Sequence, residues 1–312
     1  MELSILLLEQ ILSMVLMALA GFMSGRMKLV TGEQSRVLSC VTVYLCMPCS
    51  MIASFSTRLE AGKLAGLGLG LAAAVLIHLF YLLLDRVFSR RPVAMTREEQ
   101  ALVTYNNAGN LIIPMVRNIL GLEYVLYTSS YIFVQNLLVW THGQKLMGGE
   151  QTLRWKKVIS NPVIAGIGIG LVLFVSGISL PAPLRTAVEA MSGCMAPLCM
   201  LVTGIVLSEL DLGRAFSNGR VYLMSLVRLI LLPLLSAGIL LLLNRLFPIA
   251  DAANILTVSL LCAIGPSAST IVQQAQLYRN PNVGYVSSVN SMTTVLCAVT
   301  MPLITLLFRS VI

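Results

Sequence analysis

The chain has 312 residues, of which 57% are hydrophobic and 11% charged, with a formal net charge of +8 and a mean hydropathy of +0.87. A soluble domain carries about 25% charged residues, so the composition excludes an ordinary soluble protein and leaves no room for a sizeable soluble domain. The basic residues are spread over short connections, with no basic, aromatic-interleaved surface, which excludes nucleic acid as a partner.

Apolar runs of about 20 residues, the length that spans a bilayer, recur along the whole chain. Ten spans are predicted, roughly at 4–25, 34–56, 64–84, 99–119, 123–143, 158–178, 186–208, 219–243, 252–277 and 283–308. No Lys or Arg precedes Arg26. The first run therefore lacks the basic segment of a signal peptide and reads as a retained span. Glu9 stands near its outer end. The second span holds Cys46-Met47-Pro48-Cys49, formally a CxxC. All seven cysteines fall in apolar runs, where thiolate chemistry is disfavoured, and they read as small packing residues. Gly62, Gly66 and Gly70, and later Gly166 and Gly170, have the spacing of close helix packing.

His78 lies deep in the third span, where it is read either as a proton relay or, more simply, as a packed neutral imidazole. The fourth span is interrupted by Asn106-Asn107-Ala108-Gly109-Asn110 and Pro114. Asn136 and Thr141 in the fifth span line a polar path or bond a neighbouring helix. Arg228 sits well inside the eighth span, beyond Arg220 at its end. An intramembrane arginine is a functional candidate by default, though snorkelling or capping a helix C-terminus also accounts for it. The ninth span is interrupted by Gly265-Pro266-Ser267-Ala268-Ser269-Thr270, with Gln273 following. Hydrocarbon supplies no partners for freed backbone groups, so both breaks must face protein, ligand or a wet cavity.

Two regularities link these features. Fourteen Lys and Arg fall on connections 1–2, 3–4, 5–6, 7–8 and 9–10, against six on the other side. The positive-inside rule then puts both termini outside the cell. The chain also repeats: Pro48 and Pro114 in spans 2 and 4 correspond to Pro197 and Pro266 in spans 7 and 9. Five spans per copy is an odd number, so the second copy is inserted upside down. The expected division is 1–150 and 151–312. Paired interruptions in an inverted repeat point to the binding site of a secondary transporter. Second half-helices starting near the midplane offer free N–H groups and partial positive charge to an anion. Asn106, Asn107, Asn110, Ser267, Ser269, Thr270 and Gln273 add hydrogen bonds, and Pro114, Gly265 and Pro266 shape the breaks. No paired carboxylates, metal motif or activated nucleophile stands near either break, so an enzyme is not expected.

Several blocks, in order along the chain, carry a family resemblance. They are Tyr105-Asn106-Asn107-Ala108-Gly109-Asn110 through Pro114, Trp140-Thr141-His142-Gly143, Asn161-Pro162-Val163-Ile164, Leu180-Pro181, Ala196-Pro197-Leu198-Cys199-Met200 through Gly204, Arg228-Leu229-Ile230 through Pro233, Gly265-Pro266-Ser267-Ala268, and Thr293-Thr294 through Pro302. Together they resemble the auxin efflux carrier family, and within it the bacterial malate or malonate permeases. The resemblance implies an all-α membrane fold of ten helices in two inverted five-helix repeats, with broken helices 4 and 9 crossing at the midplane. It implies that helices 3–5 and 8–10 move like an elevator against a scaffold of helices 1, 2, 6 and 7, carrying an organic anion.

The expected function is therefore secondary transport of a small organic anion across the plasma membrane. A sodium-coupled carrier of the bile-acid symporter type is one alternative, and a non-transporting membrane sensor with the same fold is another. The expected partners are the anion, the lipid bilayer, a proton or a sodium ion for coupling and, as an open option, a second copy in a homodimer. No cofactor or metal is expected.

Overall fold

The computed structural model describes residues 2–54, 63–90, 93–108, 112, 116, 120–148, 162–249 and 251–312. Among them the principal helices are α1 (Glu2–Arg26), α2 (Gly32–Ala53), α3 (Leu64–Phe88), α4 (Arg97–Thr104), α5 (Val125–Leu138), α6 (Pro162–Ser176), α7 (Ala182–Ser208), α8 (Gly219–Leu246), α9 (Ala252–Ala263), α10 (Ser269–Leu277) and α11 (Val283–Arg309). Five of these, α2, α3, α7, α8 and α11, are 22 to 28 residues long and apolar enough to cross a membrane. Their outer faces keep large apolar side chains exposed, Leu83, Leu242 and Val299 among them. In water such a surface would aggregate. In a bilayer it is the expected outer face, and the chain is a multi-pass membrane protein.

Local sequence explains where helices start and widen. Thr31 with Gln34 and Thr96 with Glu99 form capping boxes at the starts of α2 and α4, each satisfying two otherwise orphaned donors. Two π turns precede prolines: Thr42–Cys46 before Pro48 and Val227–Leu231 before Pro233. Proline has no N–H to return to the fourth residue behind it. The helix absorbs the loss by widening one turn, so that Met47 N–H reaches Thr42 O and Leu232 N–H reaches Val227 O.

Small residues set the close contacts. Gly204 of α7 lies on the backbone of Ala18 in α1, and Gly21 of α1 lies on Leu201. A Cβ at Gly166 would stand 2.7 Å from the carbonyl oxygen of Pro48, so α6 meets α2 backbone to backbone. Gly66 packs on Tyr127 and Ile255. Gly62 lies outside the described residues.

Hydrogen bonds join five connections on one face. Gly32 N–H donates to Glu209 at 2.5 Å, and Gln276 donates to Gly32 O and Ser35 Oγ. Glu98 accepts from Asn280 and Asn282, and Asn280 also donates to Met147 O. Glu99 takes a two-pronged bond from Arg220, both arms 2.7 Å, and a third from Tyr285 at 2.8 Å. Elsewhere, Tyr124 before α5 donates to Asp251 before α9 at 2.6 Å.

Candidate functional site

α4 ends at Thr104 and α9 at Ala263, and the segments after them run side by side. Asn106 and Ser267 form an antiparallel bridge. Asn107 N–H donates to Pro266 O at 2.9 Å, and Ala268 N–H donates to Tyr105 O at 2.9 Å. Pro266 explains the second break, because it disfavours helix at Gly265 and supplies no N–H of its own. Tyr105, at φ −101° and ψ 134°, is extended.

The two breaks satisfy each other's loose ends. Ser267 Oγ donates to Leu102 O in the last turn of α4 at 2.8 Å. Asn106 Nδ2 points to Ala263 O, the last residue of α9, at 3.4 Å, and donates to Tyr131 Oη at 2.9 Å. From α5, Gln135 donates to Asn106 O at 2.7 Å; from α11, Asn290 donates to Ser267 O at 2.7 Å. Residues that play matching parts in the two breaks stand at a constant separation in sequence: 102 matches 263 as the acceptor in a last turn, 106 matches 267 as its donor, and 105 and 107 match 266 and 268 across the bridge.

Arg228 reaches both helix ends. It is fully buried, and its guanidinium donates to Val103 O at 3.0 Å, Ala263 O at 2.6 Å and Gly265 O at 2.9 and 3.0 Å. Two converging C-termini concentrate unpaired carbonyls and negative partial charge. The arginine fork supplies donors and the opposite charge. Arg228 therefore caps neighbouring helix ends rather than snorkelling outward.

Beside the bridge lies a cavity of about 30 Å³ with mixed walls: Asn106, Asn107, Thr270, Gln135 and Asn136 of α5 and Ser50 of α2 are its polar residues, and Ala268, Met51 of α2, Ile132 of α5 and Met195 of α7 its apolar ones. Asn107 Nδ2 and Gln135 Oε1 are buried there without a hydrogen-bond partner among the described residues. Ala268 stands at the cap position of α10 and offers no side-chain acceptor to its first turn. An uncapped helix start, the Asn107 amide N–H and the Thr270 hydroxyl bring donors suited to a carboxylate into this corner, beside two unpaired acceptors, Asn106 Oδ1 and Gln135 Oε1.

The other predicted residues are placed as follows. Ser269 and Gln273 are buried on α10, and Gln273 Nε2 points to Cys199 O of α7 at 3.4 Å. Asn136 Nδ2 lies 3.0 Å from the sulfur of Met51. His78 is buried one residue behind the bridge, with Nδ1 2.8 Å from Ala74 O and its ring 4.8 Å from that of Tyr131, the partner of Asn106. Thr141 bonds Leu137 O in its own helix. Asn110 and Pro114 lie outside the described residues.

Sequence reasoning passed over Tyr131, Gln135 and Asn290, which hold the bridge. Each is a polar group inside an apolar run, and that alone was the available signal. It also found no acidic residue at the breaks, yet α3 brings one close: Asp85 accepts a hydrogen bond from Thr104, two residues before Asn106.

Long apolar helices around a buried crossing of two helix breaks define a membrane protein, and the family it matches makes the class a membrane transporter. The sequence pattern of the membrane transport protein family matches the chain twice, over residues 6–152 and 151–305. The chain belongs to that family, which includes auxin efflux carrier-like proteins and consists of transporters, not enzymes. Among curated proteins, none matches it.

Proposed function

We propose that the protein is a secondary active transporter of small organic anions, dicarboxylates such as malate or malonate, in the plasma membrane. The observation that carries this reading is the cavity at the bridge, where Asn107 Nδ2 and the open start of α10 converge. Asn106, Asn107, Gly265, Pro266, Ser267, Ser269, Thr270 and Gln273 form or support the site in this reading, with Asn110 and Pro114 assigned to it from sequence.

The architecture is read as ten helices in two inverted repeats, 1–150 and 151–312. Support comes from the two family matches meeting at residues 151–152 and from the reciprocal pairing of the breaks. The five joined connections are those that carry the basic excess, which supports a cytoplasmic position for that face and outside termini. Tagging each terminus and probing intact cells tests this topology; protection of both tags overturns it.

Movement follows from size. A cavity of about 30 Å³ admits about one water, whereas ligand pockets run to roughly 300 Å³ or more. The site must open to load an anion. The cavity touches α2 and α7 on one side and α5, α10 and the bridge on the other, which supports sliding of one group against the other as an elevator.

The test is purified protein in liposomes, screened with malate, malonate, lactate, pyruvate and indole acetate under separate sodium and proton gradients. Saturable flux of a dicarboxylate is expected. Saturable binding without flux under any gradient overturns the transporter reading in favour of a sensor.

A further inference from the structure

The anion site leaves one buried charge unused. Asp85, near the end of α3, is 5% exposed, and its Oδ2 accepts from Thr104 Oγ1 at 2.5 Å. Thr104 is the last residue of α4. The next residue, Tyr105, gives its carbonyl to the bridge, and its hydroxyl meets His142 Nδ1 at 2.9 Å. A carboxylate here is disfavoured twice. Burial strips its hydration, and the carbonyls ending α4 carry partial charge of the same sign. A proton removes both costs.

An open cavity reaches this carboxyl. About 430 Å³ in volume, it has Arg86 and Ser89 of α3, Gln100 of α4 and His142 of the π turn after α5 on its polar side, and Leu79, Leu82 and Leu83 of α3 close the other, so water enters from the polar side. That is room for several waters. The charged and titratable groups around Asp85 come from each packed element. Tyr81 and Arg86 share its helix, and Tyr105 follows α4, whose Glu99 is already held by Arg220. His142 follows α5 with Lys145 beyond it, and Arg228 comes from α8, on the far side of the α4 carbonyls.

We infer that Asp85 is a proton-binding site that couples protonation to the crossing of the two breaks, so that a proton travels with the anion. This rests on the anion-carrier reading above. The carboxylate takes one proton from a hydronium ion in the cavity and becomes a carboxylic acid: one O–H bond forms on Asp85, one O–H bond of the hydronium breaks, and water is left. Thr104 no longer donates to an anion, and its hydroxyl is free to turn to a carbonyl of its own helix one turn back. The grip of α3 on the end of α4 is then released, and loss of the proton restores it.

The experiment uses the full chain in liposomes with an entrapped pH dye, and malate and malonate as probes. In the wild type, a pH gradient drives anion accumulation of about tenfold per pH unit for one proton per anion, and the dye reports protons moving with it. Asp85→Asn shows neither, although malate still raises its thermal stability. Thr104→Val keeps the carboxyl but removes its donor, which disfavours the ionised form and breaks the link to α4. The acid form of Asp85 therefore persists to higher pH while gradient-driven accumulation is lost, and this variant serves as the second one if Asp85→Asn does not fold. Gradient-driven accumulation at the wild-type level by either variant overturns the site. A second readout needs no transport. The infrared difference spectrum between mildly acid and mildly alkaline pH carries, in the wild type, the C=O band of a carboxylic acid that Asp85→Asn lacks. With that band and no anion flux, the proton site stands and the anion reading falls; without it, the proton site falls.

Discussion

Asn106 and Ser267 face each other across the bridge, and each side chain holds the last turn of the helix that leads to the other. Neither break is complete without its partner. A substitution at either residue therefore loosens the end of the helix that leads to the other, and the two asparagines that look alike in sequence must behave differently.

Asn106→Ala removes donors to Tyr131 and Ala263 and is expected to destabilise the protein by about 1–3 kcal/mol, the cost of leaving buried polar groups unpaired. Asn107→Ala removes an amide whose Nδ2 has no hydrogen-bond partner among the described residues. Its folded yield should hold, while anion affinity falls tenfold to a hundredfold, matching about 1.5–3 kcal/mol for a hydrogen bond to a charged group. Thermal shift with and without malate separates the two; equal stability loss in both variants would refute the division of roles.

Arg228→Ala should impair both folding and flux more than Arg220→Ala. It leaves the carbonyls of Val103, Ala263 and Gly265 without a charged donor in the protein interior. Arg220 is 33% exposed, and the buried Glu99 that its loss leaves behind keeps donors from the Tyr285 hydroxyl and the Thr96 N–H. Arg228→Lys keeps the charge but not the fork, and an intermediate result is expected. Normal yield and flux in Arg228→Ala would show that the helix ends need no cation.

Pro266→Ala restores an N–H and lifts the restriction on Gly265, so α9 is able to continue toward α10. The first-turn donors of α10 would then turn to intrahelical carbonyls. Flux should fall steeply while thermal stability holds or rises. Pro114→Ala is expected to act in the same way on the first break. Normal flux in both proline variants would make the breaks structural only.

Acid should loosen the face that joins the connections. Burial pushes the Glu98 carboxyl up, but hydrogen bonds from Asn282 and Asn280 outweigh it and leave the group below its usual range. A lowered value means that the stabilisation is present above the ordinary carboxylate pKa of about 4.3. It is lost as pH falls through the lowered value. Thermal unfolding against pH should show a wild-type decline in that acid range that Glu98→Gln lacks.

The breaks were legible because hydrocarbon tolerates neither Pro266 after a glycine nor clustered amides in a lipid-facing helix. Arg228 was legible as an anomaly, but its targets were not. They are carbonyls of α4 and α9, far away in sequence, and no side-chain pattern announces a carbonyl. The separate duties of Asn106 and Asn107 depend on bridge register, since neighbours in an extended segment point to opposite sides. Asp85 escaped notice because it stands near the end of an apolar run, where hydropathy reads a charge as a boundary.

The glycine contacts between α1 and α7 have a mechanical consequence. Where Gly204 rests on Ala18 and Gly21 on Leu201, main chain meets main chain, and there is no side chain to rotate aside. Such a seam resists slip in a way that leucine-on-leucine contacts do not. The sliding motion proposed above needs a fixed frame to push against, and this main-chain seam is a candidate for it.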